Sequence, residues 1–71
     1  MHESFYKLLG QNIKKKRKEY NMTQQELADR LGLSLNFVGK IEVAFSKPSL
    51  DTLIDIAAAL DSSVSDLCDF K

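Results

Sequence analysis

The chain has 71 residues, one cysteine, one histidine and a formal net charge of zero. That length gives one domain with a small core, burying only about 60% of the surface its unfolded chain exposes. It excludes an intramolecular disulfide, because Cys68 has no partner, and argues against a zinc site, because His2 stands alone near the N-terminus.

A lone, reduced cysteine fits a cytosolic protein. The N-terminus lacks the apolar run of a signal peptide, and no stretch approaches the ~20 apolar residues of a membrane span. The expectation is a soluble, cytoplasmic chain with no membrane association. The zero net charge hides a division. Residues 1–47 hold nine Lys/Arg and five Asp/Glu, a balance of +4, while residues 48–71 hold one Lys and five Asp, a balance of −4. A polyanion feels the local field, so a basic face survives overall neutrality. Taken alone, "KKKRK" (residues 14–18) is an ordinary solvated helix face.

Strand alternation is absent and a 3.6-residue period recurs, which predicts an all-α domain over residues 1–71. Helix one is expected from Glu3 to Tyr20, with Leu9, Ile13 and Tyr20 on one stripe continued by Phe5 or Tyr6. Asn21 ends it, as a residue that tolerates the left-handed conformation. "TQQE" is a capping box joining Thr23 and Glu26 at the start of helix two, Gln24 to Leu31. Gly32 ends that helix at a position that wants positive φ. Ser34 caps helix three, expected from Leu35 to about Ala44. After the loop "FSKP", Ser49 caps helix four, whose stripe is Leu50, Leu53, Ile54, Ala57 and Leu60. Ser63 caps a short fifth helix ending near Phe70. Five helices with short loops make a compact bundle.

Helices two and three are separated by only Gly32, Leu33 and Ser34. Helices joined so tightly cross steeply, which is the helix-turn-helix arrangement, here over residues 24–43. Ala28 is small where helix three passes over helix two. Val38, Ile41 and Phe45 are expected to face inward, with Leu33, against Leu27 and Leu31. Leu35, Asn36, Gly39, Lys40 and Val43 then share the outward face. Asn pairs bidentately with adenine, Lys donates to guanine, and an apolar side chain touches a thymine methyl. Gly39 leaves room for close approach.

The stretch "MTQQELADRLGLSLNFVGKIE…KPSLDTLIDIAAALDSSVSDL" resembles the lambda-repressor-like (Cro/XRE-type) helix-turn-helix family over about residues 9–68. The resemblance implies a five-helix DNA-binding domain with helix three as the recognition helix. It also implies a homodimer on a pseudo-palindromic duplex operator. It places Leu35, Asn36, Gly39 and Lys40 at base edges. It gives Thr23, Gln24, Ser34, Ser46 and Lys47 to backbone phosphates, helped by the N-terminus of helix two. Capping alone also explains Thr23 and Gln24.

Arg17 lies on the inward row Leu9–Ile13–Arg17, and Glu42 lies one turn after Val38. Charges so placed want a partner, and the resemblance pairs Arg17 with Glu42. Lys14, Lys15 and Lys18 are expected to be solvated, with Lys16 able to reach DNA. Three departures stand out. Ala44 occupies a position where the family has Gly, so either an Ala is strained at positive φ or helix three runs further. Gly39 lowers helix propensity by about 1 kcal/mol relative to Ala. Val43 offers no hydrogen bond where a polar residue contacts phosphate.

The expected function is a sequence-specific transcriptional regulator, a repressor bound to the nucleoid, inserting residues 35–44 into the major groove. The alternative is an antitoxin or other protein-interaction module of the same fold, with a protein partner and secondary DNA binding. An enzyme fits poorly. There is no Cys–His pair, no credible Ser–His–Asp set and no phosphate-cradling Gly loop. No cofactor or metal is implied. Cys68 and Phe70 are the candidate dimer-interface residues, set against a role in closing the monomer core.

Overall fold

The computed structural model describes residues 2–70. Among them lie α1 (Glu3–Glu19), α2 (Gln24–Leu31), α3 (Leu35–Glu42), α4 (Leu50–Ala59) and α5 (Val64–Leu67), and no strand. Four of the five helices begin on a hydroxyl. Thr23, Ser34, Ser49 and Ser63 each accept a hydrogen bond from the backbone N–H three residues on. Thr23 and Ser63 form full capping boxes, with Glu26 and Asp66 reaching back to the cap N–H.

The first four helices also share one ending. Asn21, Gly32, Ala44 and Asp61 have φ of 54°, 66°, 64° and 49°. After each, an N–H reaches back over six residues to the helix: Met22 to Arg17, Leu33 to Ala28, Phe45 to Lys40 and Ser62 to Ala57. This is the Schellman arrangement, which satisfies carbonyls left open at a helix end. In three of the four joints the left-handed residue is followed by one spacer and the next cap; between α2 and α3 these three are the entire connection, and Tyr20 or Leu60 precedes them in the other two.

The core is built from Leu9, Ile13, Met22, Leu27, Ala28, Val38, Ile41, Leu53, Ile56, Ala57, Leu60 and Leu67. α3 packs on α1 and α2, α4 on α2, and α5 on α4 and α1. Gly10 is what lets α1 approach α3. A Cβ there would lie 2.5 Å from the Glu42 carbonyl oxygen and 2.6 Å from that of Ile41. The other end of the domain is tied by Asn12, whose Nδ2 donates to the Leu67 carbonyl at 2.9 Å and the Asp69 carbonyl at 3.0 Å.

Inside the α1–α3 contact sits a buried ion pair. Arg17 Nε donates to Glu42 Oε2 at 2.7 Å and Nη2 to Oε1 at 3.0 Å. Arg17 Nη1 donates to the Met22 carbonyl at 2.7 Å, and Gln24 Nε2 to Glu42 Oε1 at 3.0 Å. The charges are thus paired and hydrogen-bonded, as their burial requires.

Several expectations need correction. α1 stops at Glu19, and Tyr20 is 47% exposed rather than part of the stripe. Tyr6, not Phe5, packs against the core, although the Phe5 ring meets both Tyr6 and Phe70 edge-on. On α4 the buried face is Leu53, Ile56, Ala57 and Leu60. Leu50 and Ile54 are exposed, Ile54 because it lies about 100° of helix rotation from Leu53. α5 ends at Leu67, where Asn12 takes the free carbonyls. α3 ends at Glu42, so Ala44 is held at positive φ rather than extending the helix. That turn swings Phe45 outward to 77% exposure instead of inward.

Three substitutions test this framework through urea-unfolding midpoints. Gly10→Ala places a methyl against backbone atoms that cannot yield, and stability should fall by about 2 kcal/mol or more. Ala44→Gly relieves an L-residue from the left-handed region and should raise stability by about 1 kcal/mol. Arg17→Met strands the Glu42 carboxylate and should cost about 3–5 kcal/mol, with much of that recovered in Arg17→Met/Glu42→Leu.

Candidate nucleic-acid interface

The turn from α2 to α3 is fixed on both sides. Gly32 at φ 66° and the Leu33 N–H bond to the Ala28 carbonyl end one helix, and Ser34 Oγ receives the Phe37 N–H at 3.1 Å to start the next. Val38, Ile41 and Glu42 bury one side of α3. Its other side carries exposed Leu35, Asn36 and Val43, with Gly39 and Lys40 half-buried between them. These five line one open concavity together with Gln24 and Phe45.

Gln24 joins that surface because Glu42 holds its amide. A side-chain amide carries two N–H hydrogens, so one remains for a ligand. A Cβ on Gly39 would meet Gln24 at 3.7 Å, an ordinary contact, so the protein's own packing does not demand a glycine there. Thr23 Oγ1 accepts the Glu26 N–H at 3.0 Å. The Thr23 backbone and side-chain hydrogen bonds, in that order, hold the Glu26 carboxyl below its ordinary pKa. That contribution is present at neutral pH and is lost as pH falls through the lowered value.

The loop after α3 carries the remaining candidates. Ser46 donates its N–H to the Lys40 carbonyl at 3.1 Å. Lys47 is exposed, its Nζ 5.2 Å from the centre of the Tyr6 ring. Lys40 Nζ lies 5.5 Å from the centre of the Phe45 ring. Each ammonium thus lies against the face of an aromatic ring, an attractive contact.

A second groove borders the first, lined by Lys7, Gln11 and Lys14 of α1 with Gln24, Glu42 and Val43. Sequence reasoning assigned no role to Lys7 and Gln11 and left Lys14 to solvent. Their spacing of four and three residues, one face of a helix, was the available signal. Lys16 lies elsewhere. Its Nζ is 3.8 Å from Glu19, and it lines a depression with Asp66 and Asp69. Among the described residues Glu42 is the one carboxylate lining the two grooves beside α3, and it is buried and paired.

Phe70 and Cys68 are both half-buried and packed against the core, with the Phe70 ring centre 5.3 Å from that of Phe5. Among the described residues no helix is long and apolar enough to cross a membrane, and no group of three or more His, Cys, Asp or Glu is placed to hold a metal.

Comparison with known proteins agrees with this geometry. A helix-turn-helix family model matches residues 13–67. The immunity repressor protein of Bacillus phage phi105 is 44% identical over 57 residues, 80% of this chain and 40% of that protein. The transcriptional regulator SinR of Bacillus subtilis is 37% identical over 90% of this chain and 59% of its own length. The structure of SinR in complex with DNA superposes with a TM-score of 0.80, covering 86% of this chain and 98% of that one. The restriction-modification controller protein C.AhdI from Aeromonas hydrophila superposes with a TM-score of 0.86 at 28% identity, over 90% and 97% of the two chains. The chain spans about half the length of the curated relatives it matches. With a helix-turn-helix family match over most of its length and close superposition on the SinR structure, the chain belongs to the Cro/XRE-type helix-turn-helix family.

Proposed function

We propose that the chain is a sequence-specific double-stranded DNA-binding transcriptional repressor, working in the cytoplasm on the nucleoid. The observation that carries this reading is the outward face of α3. Leu35, Asn36, Gly39 and Lys40 stand together on a helix whose opposite side is locked by Val38, Ile41 and the Arg17–Glu42 pair. Asn36 offers both a donor and an acceptor to adenine, and Lys40 a donor to guanine O6 or N7. Gly39, which the protein's packing does not require, leaves space for the base-pair edges.

Thr23, Gln24, Ser34, Ser46 and Lys47 then take phosphates, with the α2 N-terminus adding its partial positive charge. Lys7 and Lys14 extend the same track along α1. The SinR–DNA complex and the named repressors among the relatives support the assignment. The repressor acts as a homodimer on a pseudo-palindromic operator, its half-sites about one helical turn apart. Phe70, with its ring against Phe5, remains the proposed dimer contact through the part of it outside the core.

Selection of bound sites from a random duplex library tests this. A two-fold symmetric motif is expected. Asn36→Ala and Lys40→Ala should each cost about 1–3 kcal/mol at particular base pairs, while Lys47→Ala should weaken all sequences alike and reduce the salt dependence. Selection that yields no motif, with promoter fragments bound no better than random duplex at low salt, overturns the reading.

A further inference from the structure

The contacts proposed for Asn36 and Lys40 leave three apolar side chains on the same surface unused. Leu35 is 44% exposed, Val43 72% and Phe45 77%. Single exposed hydrophobics are common and need no explanation. These three line one concavity together with Gln24, Asn36, Gly39 and Lys40. Phe45 is also not a floppy loop residue. Its N–H donates to the Lys40 carbonyl at 2.8 Å, Ala44 fixes the turn before it at φ 64°, and the next N–H, from Ser46, shares the same carbonyl. The backbone holds the ring on the outside, beside the Lys40 ammonium.

The surroundings choose the occupant. Lys40 lines this surface and Lys7 and Lys14 the groove beside it, and among the described residues the only carboxylate lining the two grooves is buried and neutralised by Arg17. A partner must therefore present negative charge around an apolar centre. Duplex DNA does so in the major groove, where phosphates flank the C5-methyl of thymine, the apolar group that its base edges offer there. We propose that Phe45, with Val43 and Leu35, is a specificity-determining residue that reads thymine C5-methyl groups beside the bases contacted by Asn36 and Lys40. The proposal rests on the DNA-binding reading above and adds to it what the half-site must contain.

Replacing thymine by deoxyuridine removes the methyl and leaves every Watson–Crick hydrogen bond and phosphate in place. On the duplex recovered by site selection, each thymine is replaced in turn and the dissociation constant measured for the wild-type chain and for Phe45→Ala. At one or two positions per half-site the wild type should lose about fourfold in affinity, the worth of one buried methyl group. Phe45→Ala should bind the thymine and uracil duplexes equally at those positions, so that the two changes are not additive. Its exposed position leaves the fold unaffected, which an unchanged urea midpoint verifies. Equal binding of thymine and uracil duplexes at every position, with tight specific binding retained, overturns the proposal and leaves the DNA-binding reading standing. A Phe45→Ala variant that keeps both full affinity and thymine discrimination also overturns it, and gives this surface to a protein partner. Equal weakening of thymine and uracil duplexes by Phe45→Ala overturns it too, reducing Phe45 to a support for Lys40. Absence of specific binding to any duplex removes the DNA-binding reading and the proposal together.

Discussion

The Arg17 guanidinium and the Glu42 carboxylate meet through two parallel hydrogen bonds in the seam between α1 and α3. Both charges are almost wholly withdrawn from water, so each depends chiefly on the other for its solvation. The fork geometry of arginine sets both the distance and the rotation of α3 about its own axis. The same carboxylate also holds Gln24, and the same guanidinium holds the Met22 carbonyl at the entrance to α2. Four segments are therefore positioned by two side chains. The contact is close enough to form because Gly10 presents no side chain to the last carbonyls of α3.

Around this pair, the joints between helices are short and repetitive. A left-handed residue, a spacer and a hydroxyl cap serve three of them, and each satisfies backbone groups at both helix ends. Such joints store little conformational freedom, so the outward face of α3 is organised before any ligand arrives. The fourth joint, from α3 to α4, is longer and carries Phe45, Ser46 and Lys47. It begins with Ala44 in a conformation that glycine adopts more readily. The strain falls at the edge of the proposed interface rather than in the core.

The sequence made most of this architecture legible, and the reason is locality. Thr23, Ser34, Ser49 and Ser63 act within three residues of themselves, so their caps are visible in the letters alone. Gly32 and Asn21 announce their turns in the same way. Ile54 and Ile56 were harder, because two isoleucines straddle the boundary of one helical face and only the packing partners decide between them. Phe45 was misplaced because its direction depends on whether Ala44 continues the helix or turns, a choice between modest energies. Gly10 and Asn12 carried no local signal, since their importance lies in what they meet more than thirty residues away. The face of Lys7, Gln11 and Lys14 was hidden inside a run of basic residues that looks uniform until α3 and Gln24 are placed against one side of it.

The split of charge along the chain has a consequence for how the molecule meets a polyanion. With zero net charge there is no overall attraction, only an excess of positive charge in residues 1–47 and of negative charge in residues 48–71. The molecule measures 31 × 21 × 20 Å, while physiological salt screens charges over about 8 Å. A phosphate touching the lysine-bordered face is therefore largely blind to carboxylates lying beyond that screening length. In dilute buffer the screening length grows to about 30 Å and both poles are felt at once. Attraction then gives way to torque: the field turns the molecule toward its productive orientation without pulling it strongly inward. In dilute buffer neutrality thus limits indiscriminate sticking to nucleic acid, and at physiological salt short-range contacts decide where the chain stays.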